Sequence, residues 1–103
     1  MVYKRPIFAV MLAAVGVTSP LHASEELARA NGCAACHALD KKTVGPSWKD
    51  VAAKYKAEAK AAETLAAKVR AGGKGVWGQV PMPPQTKVSD ADLKTIMAWV
   101  LAQ

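Results

Sequence analysis

The chain is poor in the residues from which most functional sites are built. Its 103 residues include two cysteines, two histidines, one phenylalanine and two tyrosines. A structural zinc site takes about four ligands, as a rule Cys and His, and Cys33, Cys36 and His37 are one too few once His22 is lost with an N-terminal leader. No run of β-branched residues flanks the cysteines, which removes the βαβ setting of a thioredoxin-like dithiol. Glycines 72, 73 and 75 surround Lys74, but no Ser or Thr follows that lysine, so the cluster is not a phosphate-binding loop. Basic residues outnumber acids 14 to 8, yet the lysines are scattered. Scattered charge describes a solvated basic surface rather than a nucleic-acid-binding block. Neither a strand pattern, an internal repeat nor an interdomain linker is present.

The N-terminus reads as a secretory signal. Lys4 and Arg5 precede an uncharged apolar run from Ile7 to Val17, and Leu21-His22-Ala23 resembles a cleavage site. A spanning helix needs roughly 20 apolar residues; the stretch from Pro6 to Leu21 is shorter and is broken by Gly16 and Pro20. The expectation is a signal peptide at 1–23, a single domain at 24–103, a periplasmic location and no stable membrane anchor after cleavage. Residues 1–23 hold two of the 14 basic residues and none of the 8 acids, leaving 24–103 at +4. His37 is then the only histidine. A domain this small has a marginal core and needs a staple.

The staple is written in residues 33–37, Cys33-Ala34-Ala35-Cys36-His37. C-x-x-C-H is the attachment motif of a c-type haem. Two thiols three positions apart can each add to one porphyrin vinyl group, and the imidazole that follows can bind the iron. A disulfide between Cys33 and Cys36 would instead close too short a loop to stabilise much. The motif therefore implies one covalently attached haem c per chain, with His37 as the first axial ligand.

The rest of the chain reads as about four helices. Ser24 precedes Glu25-Glu26, acids suited to a helix N-terminus, on a segment running to Asn31-Gly32. Ser47 and Asp50 have capping-box spacing ahead of a helix through Val51 to about Tyr55. An alanine-rich helix from roughly Lys60 to Ala71 carries Leu65 and Val69 on one face and stops at Gly72-Gly73. Ser89 begins a last helix, on which Leu93, Ile96, Met97, Val100 and Leu101 keep the helical apolar period.

A second axial ligand has few sources. Met97 belongs to the apolar stripe of the last helix and reads as core. Met82 stands in Pro81-Met82-Pro83-Pro84, which holds three of the four prolines in 24–103. Proline fixes its own φ and confines the residue before it, so this loop can hold a thioether in place. Iron bound by His37 and Met82 has no open position for a substrate, and a thioether favours the ferrous state. These residues describe an electron carrier and not an enzyme.

From Ser24 to Gln103 the chain resembles the small bacterial class I cytochromes c of the c-551/c-552 type. The resemblance is carried by Asn31 to His37, Val44-Gly45-Pro46, Lys49 to Tyr55, Gly75 to Pro84, Val88-Ser89-Asp90 and Ala98 to Leu101. It implies an all-α cytochrome c fold of about four helices wrapped around one covalently bound haem. It also implies roles: Cys33 and Cys36 form the thioethers, His37 and Met82 are the axial ligands, and the Pro46 carbonyl accepts from His37. Trp77 would donate its indole N–H to a propionate, or else be ordinary packing. Lys68 matches a basic position near the propionates and reads equally well as a solvated helix residue. Gln85 stands where several relatives have an Asn that contacts the Met sulfur. Ala34, Val44, Pro83 and Pro84 match an apolar docking patch, with Lys41, Lys42 and Lys87 at its rim. The chain is expected to be a monomer, and relatives of this type pass electrons in respiration or denitrification. Their partners are a haem nitrite reductase, a cytochrome c peroxidase, a terminal oxidase or a membrane quinol-oxidising complex. The alternative is a small haem enzyme or gas-binding sensor in which Met82 stays off the iron; no His or Arg near Met82 in the sequence supports it.

Overall fold

The last helix organises the others. In the computed structural model, which describes residues 2–3, 6–14, 16 and 20–103, it is the longest of four helices. They are α1 (Pro20–Ala30), α2 (Trp48–Tyr55), α3 (Ala61–Ala71) and α4 (Asp90–Leu101), and a 3-10 turn at Cys33–Ala35 follows α1. Leu93, Ile96, Met97 and Val100 are buried as their spacing requires, and Trp99 joins them. That stripe is wide enough for α4 to pack against α1, α2 and α3 together.

Each partner helix brings a short apolar face. Ala28 of α1 is wholly buried, and its small side chain lets the helix come close. Trp48, Ala52 and Tyr55 line the inner side of α2, while Ala61 and Leu65 do so for α3. Trp48 meets Trp99 edge-on, with centroids 4.8 Å apart and planes at 77°, a favoured aromatic geometry. Burying a side chain such as Ile96 stabilises by about 1.5–3 kcal/mol, so this protein core is small.

Helix ends follow local chemistry. Ser47 and Ser89 accept from the backbone N–H of Asp50 and Asp92, each at 3.1 Å, which satisfies donors that a helix start leaves open. α3 begins after Lys60, whose φ of 60° is left-handed and whose side chain makes no cap. It ends at Gly72, φ 70°, whose N–H reaches Lys68 O at 2.8 Å. α1 begins at Pro20, so Ser24 lies inside the helix rather than capping it. The regular pairing between extended segments, among the described residues, is a single antiparallel bridge between Gly73 and Met82.

N-terminal to α1, Ile7, Phe8, Met11 and Leu12 are almost wholly exposed. Lys4, Arg5 and Val17 of the signal reading lie outside the described residues. Among those described, no helix is long and apolar enough to cross a membrane.

Candidate haem site

The motif sits on a tight turn. Gly32, at φ 79°, bends the chain out of α1 into the 3-10 turn. The N–H groups of Cys36 and His37 both return to Cys33 O, at 3.2 and 3.1 Å. Both thiols are free and half-buried. Burial raises the Cys33 pKa above the ordinary thiol value, and a backbone hydrogen bond partly opposes the rise.

The following loop fixes the imidazole. Gly45 N–H donates to Cys36 O at 2.8 Å, and the Thr43 hydroxyl donates to the same oxygen at 2.6 Å. Trp48 and Lys49 close the loop on Ala38 O and Leu39 O, at 2.9 and 3.0 Å. This fold-back brings Pro46 O to 2.7 Å from His37 Nδ1. A carbonyl only accepts, so Nδ1 is the donor in this bond, and the ring is oriented with Nε2 as the nitrogen left for a metal. Trp48 stacks beside the ring, with centroids 6.1 Å apart and planes at 19°. There is no room for a side chain at residue 45: a Cβ there would lie 2.7 Å from His37 Cε1.

The Met82 loop is anchored to the end of α3. Met82 N–H donates to Gly73 O at 2.8 Å, and Gly73 N–H returns to Met82 O at 3.0 Å. Gln85 N–H reaches Val69 O at 3.1 Å. Gly72 passes so close that a Cβ would meet Met82 O at 2.6 Å and the Pro84 nitrogen at 2.7 Å. Gln85 turns its amide back onto Pro83 O at 2.9 Å.

The other sequence candidates are spread around this frame. Trp77 is 40% exposed, and the Lys54 ammonium lies 5.8 Å from its ring centroid and 5.9 Å from that of Tyr55, within cation–π range. Lys68 is exposed on α3, while Met97 is buried in the core. Sequence reading missed the fit of Gly45 against His37, the Trp48 stack and the Lys54–Trp77 contact. It also missed Arg70. The sequence places no arginine beside Met82, but the fold brings the Arg70 guanidinium to the far end of that loop. A signal was available: only Arg5, Arg29 and Arg70 break the run of lysines.

These residues fit a covalently held haem. The donor set pairs two free thiols with an imidazole whose orientation is fixed through Nδ1. The side chains flanking the candidate ligands, Val44, Val76, Trp77 and Val80, are apolar and between 40% and 65% exposed. A flat apolar macrocycle would cover such surface favourably.

The chain defines a small, all-α c-type cytochrome. A sequence profile of the Cytochrome c family matches residues 22–103, and the chain belongs to that family. It is similar to cytochrome c-551 of Azotobacter vinelandii, 58% identical over 77 residues covering 75% of this chain and 93% of the relative. It is also similar to cytochrome c-552 of Hydrogenobacter thermophilus, 47% identical over 93 residues, covering 90% and 94% of the two chains. The crystal structure of Nitrosomonas europaea cytochrome c552 superposes with a TM-score of 0.74 at 51% identity, covering 76% of this chain and 96% of that one. The protein is accordingly an electron carrier with one haem c, attached at Cys33 and Cys36, and not an enzyme.

Proposed function

We propose that the protein is a periplasmic one-electron shuttle in which His37 and Met82 are the two axial ligands. When bound, the haem supplies the ferric/ferrous couple; the chain holds the ligands still and controls access. The observation that carries this reading is how Met82 is held. Prolines on both sides restrict it, and two hydrogen bonds tie its backbone to Gly73. A thioether fixed this way can remain in place in both oxidation states, so little rearrangement accompanies electron exchange. His37 is fixed independently by Pro46, a partner of the kind that orients metal-bound imidazoles.

Trp77 and Lys68 belong to the same reading as groups directed to the propionates. Lys54, against the Trp77 ring, supports the first of these roles. Ala34, Val44, Pro83 and Pro84 are exposed, as are Lys41, Lys42 and Lys87. A small apolar patch rimmed by lysines suits brief encounters with acidic redox proteins, since steering by charge acts mainly on the on-rate. Nitrite reductase, peroxidase, terminal oxidase and quinol-oxidising complex are all partners of this chemistry. The leader reading of residues 1–23 is supported by the exposure of Ile7, Phe8, Met11 and Leu12.

Potentiometry of Met82→Ala tests the ligand assignment. The variant is expected to keep its covalent haem, to lose reduction potential, and to bind carbon monoxide when ferrous. A potential equal to that of the unsubstituted protein would contradict the role of Met82.

A further inference from the structure

Arg70 is on the last turn of α3, yet its directed bonds all leave that helix. One terminal nitrogen donates to Gln85 O at 2.8 Å and to Val88 O at 2.7 Å. The other reaches Asp90 Oδ1 at 2.7 Å. The three acceptors bracket the second half of the Met82 loop and its junction with α4. A planar guanidinium spreads its donors over two fixed nitrogens and so spans two carbonyls and a carboxylate; an ammonium, a single point of charge, lacks that fork.

The placement is electrostatically mixed, which argues against incidental contact. The C-terminal end of α3 favours a cation, but the N-terminal end of α4 disfavours one. Asp90 and Asp92 in the first turn of α4 offset the second effect. The first half of the loop is held differently, by the Gly73–Met82 bridge. Without Arg70, the segment from Pro83 to Val88 would keep the Gln85 N–H bond to Val69 and little else from α3.

We infer that Arg70 is a positioning residue that holds the Met82 loop closed and so sets how readily the thioether gives way to an outside ligand. This rests on the assignment of Met82 to the iron. Local opening of such a loop costs less than global unfolding, and an incoming ligand competes only against the local cost. Arg70 thus acts on ligand exchange through the loop, without touching the iron site.

The test is imidazole binding to the ferric holoprotein, read alongside the far-red sulfur-to-iron charge-transfer band. Arg70→Gln is expected to raise imidazole affinity about tenfold, a change equivalent to about 1.4 kcal/mol. Arg70→Lys is expected to give a smaller rise, and Asp90→Asn, which leaves both carbonyl bonds in place, a smaller one still. Ile96→Val destabilises the core without removing any Arg70 hydrogen bond and is the control, expected to stay within about twofold. An Arg70→Gln affinity within twofold of the unsubstituted protein, or a rise matched by Ile96→Val, would overturn the inference. Should Arg70→Gln not fold, the ordering of Arg70→Lys above both Asp90→Asn and the control decides the matter. A missing far-red band in the unsubstituted protein would remove the Met82 assignment and this inference with it. A band that is present while Arg70 variants bind imidazole normally would sink the inference alone.

Discussion

Replacing Gly45 with alanine puts one methyl group against the imidazole of His37. The new Cβ would stand 2.7 Å from Cε1, 3.1 Å from Nδ1 and 3.3 Å from Nε2. Ordinary carbon contacts begin near 3.5 Å, so one side must retreat by about 0.8 Å. The ring is poorly placed to retreat, being bonded to Pro46 O at 2.7 Å and stacked beside Trp48. The backbone is held as well, by Gly45 N–H on Cys36 O and Thr43 N–H on Gly45 O, at 2.8 and 3.1 Å. Overpacking of a fixed site costs about 1–3 kcal/mol, and weakening the Pro46 bond adds about 1 kcal/mol. The total, about 2–4 kcal/mol, would lower the melting temperature by at least about 8 °C in a domain of this size. Gly73→Ala is the matched control, because a Cβ there meets nothing within 4 Å. Guanidinium unfolding of both ferric holoproteins, followed by circular dichroism, measures the difference. Equal stability of the two variants would refute the reasoning.

Two further substitutions probe other parts of the frame. Gly72→Ala combines a left-handed φ of 70° with contacts at 2.6 and 2.7 Å to the Met82 loop, so a cost of about 2–5 kcal/mol is expected. Heating that variant should bleach the far-red band well before the helices melt, whereas simultaneous loss would contradict the placement of Gly72 under the loop. Lys60→Gly relieves the single left-handed non-glycine residue among those described and should raise stability by about 0.5–1 kcal/mol. Calorimetry would register a rise in melting temperature of a few degrees; a fall would mean that Lys60 contributes through contacts rather than strain.

Local patterns made the helices legible in the sequence. Ser47 and Ser89 are caps because a hydroxyl at that spacing satisfies backbone donors, and no distant residue is needed to see it. The apolar stripe of α4 is equally local, and the buried Met97 follows from its place on that stripe. Pro46 was available only through family resemblance. Its contact with His37 depends on a loop whose closure joins residues nine positions apart. The start of α1 differed, since helix geometry propagates back to Pro20 and places Ser24 inside. Arg70 illustrates what a linear reading cannot supply: its acceptors lie 15 to 20 residues away and are mostly backbone carbonyls. Val88 is similar, an apolar residue outside any helix that is buried because the loop returns to the core. Such positions become visible only once α3 and α4 are packed.

The most direct test of the account is the optical spectrum of the ferric holoprotein matured in a periplasm. The account predicts a covalent haem together with the weak far-red band of a sulfur-to-iron charge transfer, abolished by Met82→Ala. A covalent haem without that band would contradict Met82 as the second ligand and favour an open or differently ligated iron.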